Sequence, residues 1–154
     1  MEWYEEYLGK PWAPVPNPPE SFTCGELVRY VFKREFGFDA LPIPVPDARD
    51  LHDCVEAMDP EYFGLKRVMG LPRDKDAVFL SRRHLMDHCG LVCMIGGQML
   101  ILHCSQRGGV QLSSLPELEA EGYGRHSYWR CPKATSSGAS HHLPLKGEGF
   151  ETRA

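Results

Sequence analysis

Residues 21–37 read SFTCGELVRYVFKREFG, and they place a cysteine at the entrance of an amphipathic helix. Leu27, Val28, Val31 and Phe32 recur at helical spacing and Cys24 precedes them on the same stripe, so the thiol is expected to face whatever the helix packs on. Thr23 and Glu26 read as a capping box, in which the threonine oxygen and the glutamate carboxylate satisfy backbone N–H groups that lack an intrahelical acceptor. Cys24 is then the first helical residue. Lys33 and Arg34 suit the negative end of the helix, and Gly37 suits its left-handed cap. A free thiol has a pKa of about 8.5 and is mostly protonated at neutral pH, but the positive end of a helix favours the anion. Taken alone, Cys24 reads as either a nucleophile or a small buried hydrophobe. A base elsewhere has to decide.

On the N-terminal side, Glu2 to Leu8 are expected to form a short helix that turns Trp3, Tyr4, Tyr7 and Leu8 to the core. Residues 13–20, APVPNPPE, form an extended proline-rich strap leading to the cap of the central helix. On the C-terminal side, Asp47 and Asp50 open a second helix with Ala48, Leu51, Val55 and Met58 on one face; His52 and Cys54 lie off that face and read as surface or structural. From Gly64 the pattern turns to strands: LKRVM, DAVFL, HCGLVCMI, MLILHCS, GVQLS and HSYWRC. Gly96-Gly97 makes a hairpin of the third and fourth. Short antiparallel strands following helices predict an α+β fold with the helices on one side of a single sheet. Residues 1–131 are expected to be one domain and 132–154 a flexible tail, with His141 and His142 solvated.

The chain has 154 residues, 42% of them hydrophobic, enough for one core. A formal charge of -4 and the lack of a basic stripe give no reason to expect nucleic acid or an anionic membrane as partner. The acidic start, MEWYEEYLG, is unlike a secretory leader, and no stretch is long and apolar enough to span a bilayer. The expected location is the cytoplasm, or a virion that carries the protein out of it. The six cysteines include no C-x-x-C pair and are expected to be reduced thiols. No cofactor is implied.

Two histidines flank the Gly-Gly turn. His88 opens HCGLVCMI and shares a strand face with Gly90 and Val92; His103 closes MLILHCS and shares one with Ile101 and Met99. Either imidazole alone would read as a core group bonded to backbone. If the central helix lies across that face, with Gly90 leaving room for the helix end, Cys24, His88 and His103 become a nucleophile, a general base and a group that fixes the base's tautomer.

With those residues in place the chain resembles the NlpC-type cysteine peptidases, papain-like enzymes that cut peptide bonds in bacterial cell walls. In particular it looks like the branch encoded with phage tail-assembly genes. The resemblance runs over residues 3–131 and rests on YLGKPW at 7–12, TCGELVRYVF at 23–32, KDAVFL at 75–80, HCGLV at 88–92 and LHCSQRGGV at 102–110. It implies a papain-like fold with the nucleophile-bearing helix on one face of the sheet. It also implies Cys24 as nucleophile, His88 as base and His103 as the third polar residue, a thioester intermediate, a peptide or cell-wall fragment as substrate, and phage tail proteins as partners. Trp12, Thr23 and Gly25 fall at its substrate-binding positions. There the sequence departs from the family, which usually carries Asp-Cys-Ser-Gly and a tyrosine where Trp12 stands. The spacing of His88 and His103 is also wider than usual.

Three other readings compete. A metal site is suggested by His84, His88, Cys89, Cys93, His103 and Cys104, although neighbouring strand residues point to opposite faces. A non-enzymatic scaffold of tail assembly is suggested by the altered substrate-binding positions. A lipid acyltransferase is disfavoured because here the cysteine precedes the histidine. Asp76 reads as a structural turn acid and His126 as a surface residue.

Overall fold

The computed structural model describes residues 1–45 and 47–134, without the side chains of Leu51 and His52. His141, His142 and nearly all of the expected tail therefore lie outside the described residues. The fold is α+β. Strands β1 (Lys66–Arg67), β2 (Ala77–Arg82), β3 (Leu85–Ile95), β4 (Gln98–Ser105), β5 (Gly109–Ser113) and β6 (Tyr123–Arg130) form one antiparallel sheet in the order β1-β6-β2-β3-β4-β5. Gly96 and Gly97, with φ of 59° and 80°, make the tight β3–β4 turn; both adopt the left-handed backbone that only glycine enters without steric cost.

Helix α1 (Cys24–Phe36) begins and ends where its sequence directs. Thr23 Oγ1 accepts the Glu26 N–H at 3.2 Å, and Gly37 closes the helix at φ 65°. Only half of the expected capping box forms, because the Glu26 carboxylate turns instead to Arg29 at 2.9 Å. Leu27, Val28, Val31 and Phe32 are buried against Phe79, Cys89, Leu91, Leu102 and Cys104. Alternation therefore assigns α1 to the odd-numbered face of β3.

The histidines occupy the other face. Gly90 pairs with His103 and Val92 with Ile101, so His88, Gly90 and Val92 share a side with Ile101 and His103, away from the body of α1. Two expectations are corrected here. The central helix does not cross the histidine face, and Gly90 does not make room for its end. Instead, a Cβ at position 90 would come within 2.6 Å of Leu102 O and 3.1 Å of His103 Cβ, so the missing side chain accommodates β4. The helices are not all on one side either. Helix α3 (Leu115–Ala120) is absent from the sequence reading although Ser114 and Glu117 form a complete capping box at its start; its Leu118 packs with Val78, Leu80, Val92 and Ile101 on the histidine side.

The N-terminal segment is a single 3-10 turn, Glu5–Tyr7, instead of a longer helix. Tyr7 is nonetheless buried edge-on to Phe22 and Tyr30. The strap runs on through a bridge between Trp12 and Phe22 that delivers the chain to Thr23. Helix α2 (Leu51–Ala57) is capped by Asp50 and is shorter than its apolar pattern, leaving Ala48 and Met58 outside it.

Asp76 has the structural role expected of it. Buried at 2% exposure, it accepts two bonds of 2.8 Å from Arg130 and one of 2.7 Å from the Arg73 N–H, tying the loop before β2 to the end of β6. Removing one partner of a buried pair leaves the other charge uncompensated. Asp76→Ala is expected to lower unfolding stability by about 3 kcal/mol, read as a lower urea midpoint at unchanged slope.

Candidate functional site

The capped start of α1 sets Cys24 at the place where β3 and β4 part. Their pairing runs from Gly90–His103 out to Ile95–Gln98, and residues 88 and 89 lie beyond its inner end. The Cys89 backbone N–H therefore has no β4 partner, and Cys89 and His88 stand near enough to the Cys24 sulfur to favour its anionic form. Cys24 and His88 line one cleft at this opening, while the body of α1 packs on the far face.

His88 is 6% exposed and His103 1%. His88 Nε2 lies 2.9 Å from His103 Nδ1, and His103 Nε2 lies 2.8 Å from Ser113 Oγ. With Nε2 engaged, Nδ1 is the His88 nitrogen left for the sulfur. The His88 ring is stacked on Tyr123 at 5.2 Å and 25°, and the Arg82 guanidinium lies on Tyr123 at 5.0 Å. Arg82 in turn donates to Asp87 Oδ2 at 2.7 Å. Ion pair, phenol and imidazole thus fix the plane of the base.

The Cys24 thiol is pulled well below the ordinary cysteine range, first by the hydrogen bond from Cys89 and then by His88, with burial opposing both. Cys89 is pushed well above that range by its bond to Cys24 and by burial, and so stays a thiol donor. His103 is lowered from 6.5 to about 3, chiefly by burial and then by His88, and so remains neutral. Neutrality matters because a charged imidazole carries a proton on both nitrogens and cannot accept from His88.

A cleft of about 1130 Å³ opens over Cys24, and Trp12, Thr23, Gly25, His88 and Tyr123 all line it. The sequence-derived residues therefore converge, with His103 buried behind His88. Thr23 is 8% exposed and committed to the cap. Gly25 is covered by Ile43, whose Cδ1 would lie 2.5 Å from a Cβ at that position. Sequence reasoning missed Ser113, Cys89, Tyr123 and Ile43 as neighbours of the site. Cys54 also reaches the cleft, with its thiol toward Ala48 O at 3.5 Å. His126 stays outside and bonds Tyr128. All six cysteines are unpaired thiols. Among the described residues no group of three or more His, Cys, Asp or Glu side chains is placed to hold a metal ion, and no helix is long and apolar enough to cross a membrane.

What fold and site together define is an α+β domain with a helix-capped thiol, an imidazole beside it, and a second imidazole behind the first. No protein-family model matches the chain, and neither does any curated protein.

The buried state of His103 carries a pH signature. Its folded pKa lies below the unfolded value, so the neutral form is favoured in the folded state and its stabilisation is complete above pH about 6.5. As pH falls from there toward about 3, the unfolded chain binds a proton that the folded one refuses, costing up to a few kcal/mol. Urea titrations across that range should show wild-type stability falling more steeply than that of His103→Asn. Parallel curves would mean that His103 titrates normally.

Proposed function

We propose that this chain is a thiol hydrolase that cleaves a peptide or amide bond through a thioester on Cys24. One observation carries the reading: Cys24 and His88 line one cleft, and His88 Nε2 lies 2.9 Å from Nδ1 of the buried His103 behind it. His88 Nδ1 takes the thiol proton and the thiolate adds to the substrate carbonyl. Helix geometry leaves the Cys24 N–H without an intrahelical acceptor at the positive end of α1, where it stabilises the oxyanion. The imidazolium then protonates the leaving amine, and water, deprotonated by His88, hydrolyses the thioester.

The resemblance to NlpC-type peptidases supports a cell-wall peptide as substrate and a role beside phage tail proteins. The departures at Thr23 and Gly25 favour a second reading, a scaffold that keeps the fold without turnover. Thr23 is spent on the helix cap, and Ile43 closes over Gly25, so neither offers a substrate amine an acidic or hydroxyl partner.

Alkylation separates the two. In the hydrolase, iodoacetamide modifies Cys24 rapidly at pH 6–7, with a midpoint well below the roughly 8.5 of a free thiol. A scaffold gives the ordinary midpoint. With a murein-derived peptide as substrate, Cys24→Ala should abolish cleavage while leaving the circular dichroism spectrum unchanged. Loss of the base in His88→Ala should cost about 10²–10⁴ in kcat/KM, and His103→Ala less, because orienting a base contributes less than being one. Equal or reversed losses would show the two histidines to be misassigned.

A further inference from the structure

Ser113 makes a polar contact that its own element does not require. It ends β5, and the cap of the following helix α3 is built by its neighbour: Glu117 N–H donates to Ser114 Oγ at 3.2 Å, and the Glu117 carboxylate accepts the Ser114 N–H at 2.7 Å. The Ser113 hydroxyl is left for the sheet. Register pairs Ser113 with Ile101, which puts it on the histidine face, 6% exposed and one diagonal step from His103.

The three groups Ser113, His103 and His88 are joined by two hydrogen bonds with one proton each, so both bonds must run in the same direction while His103 is neutral. If Ser113 donates to His103 Nε2, then His103 Nδ1–H donates to His88 Nε2. Neutral His88 then carries its proton on Nδ1, toward the sulfur, and cannot accept another there. If Ser113 accepts from His103 Nε2–H, then His103 Nδ1 accepts from His88 Nε2–H, and His88 Nδ1 is bare. Only the second arrangement contains a base.

We propose that Ser113 is a positioning residue that, as acceptor of the His103 Nε2–H bond, selects the tautomers of His103 and His88 that leave Nδ1 of His88 free to take the Cys24 proton. The proposal rests on the thiol-hydrolase reading and adds to it a group that touches neither substrate nor sulfur. In the activating step only the thiol proton moves, from Sγ to Nδ1; the other two stay in their bonds. The groups that face these rings are Cys24 from α1, Tyr123 from β6 and Ser113 from β5, and the nearest fixed charges, Arg82 and Asp87, pair with each other.

The test is made on the full chain by long-range ¹⁵N–¹H correlation of the histidine rings, together with the pH profile of iodoacetamide alkylation at Cys24. In the wild type at pH 7, His103 is expected as the Nε2–H tautomer. In Ser113→Ala it should become a mixture, the alkylation rate at pH 6 should fall about tenfold, and the profile should move to higher pH. Ser113→Thr should restore both. An Nδ1–H tautomer of His103 in the wild type would overturn the proposal without any variant having to fold. So would a Ser113→Ala protein that keeps both the Nε2–H tautomer and the wild-type profile. A wild-type Cys24 that reacts no faster than a free thiol removes the hydrolase reading itself, whichever tautomer His103 shows.

Discussion

A buried imidazole needs a partner for each ring nitrogen, and the arrangement of this protein's central strands follows from how His88 finds its partners. Leaving one buried nitrogen unpaired costs roughly 1–3 kcal/mol. Here the partner on Nε2 is a second imidazole, itself buried, so the need is passed along to Ser113 before it ends. The chain of contacts has a strict steric condition. Gly90 stands directly opposite His103, between it and His88 on the shared face, and a methyl group there would collide with β4 backbone and with the root of the His103 side chain. Glycine inside a strand ordinarily weakens it, and in this strand its absent side chain is what allows two rings to meet across the sheet.

The two sides of the sheet divide the work. The α1 side is an apolar layer in which Leu27, Val31 and Phe32 meet Phe79, Leu91 and Leu102. The other side holds the polar row, with Leu118 of α3 packed beside it on Val78, Leu80, Val92 and Ile101. A thiol on the first side reaches an imidazole on the second because β4 leaves β3 beyond Gly90. The helix cap sets how far the sulfur projects into that opening, and the Asp87–Arg82–Tyr123 stack sets the plane of the ring that meets it. The sulfur and the imidazole thus sit on regular elements, α1 and β3, and not on loops, as precise chemistry requires.

Local signals were read well in the sequence, and layer assignments were not. Thr23, Gly37 and the Gly96-Gly97 turn act through residues a few places apart, and each formed where its pattern put it. Alternation also placed His88, Gly90 and Ile101 relative to one another. It carries no information on which face a helix will cover, because both faces of β3 are apolar: Cys89, Leu91 and Cys93 on one, Val92 on the other. That ambiguity produced the wrong side for α1. Helix α3 escaped notice although Ser114 and Glu117 announce it, since a six-residue helix offers too little periodicity to stand out between two strands. Ser113 and Cys89 were illegible for a different reason. Their importance comes from pairing register and from the parting of two strands, which no local pattern encodes.

The surroundings of the sulfur explain why its reactivity does not follow from the helix end alone. The largest influence lowering the pKa of the Cys24 thiol is the Cys89 thiol, followed by the His88 ring and the Cys89 backbone N–H. All three donors belong to consecutive residues of one strand. A thiolate stabilised by several donors is more populated at neutral pH but less nucleophilic per molecule, because the electron pairs that attack are the ones being shared. In this site the groups that favour the thiolate come from His88 and Cys89, two consecutive residues of β3 that line the same cleft as the sulfur, on a strand paired with β2 on one edge and β4 on the other.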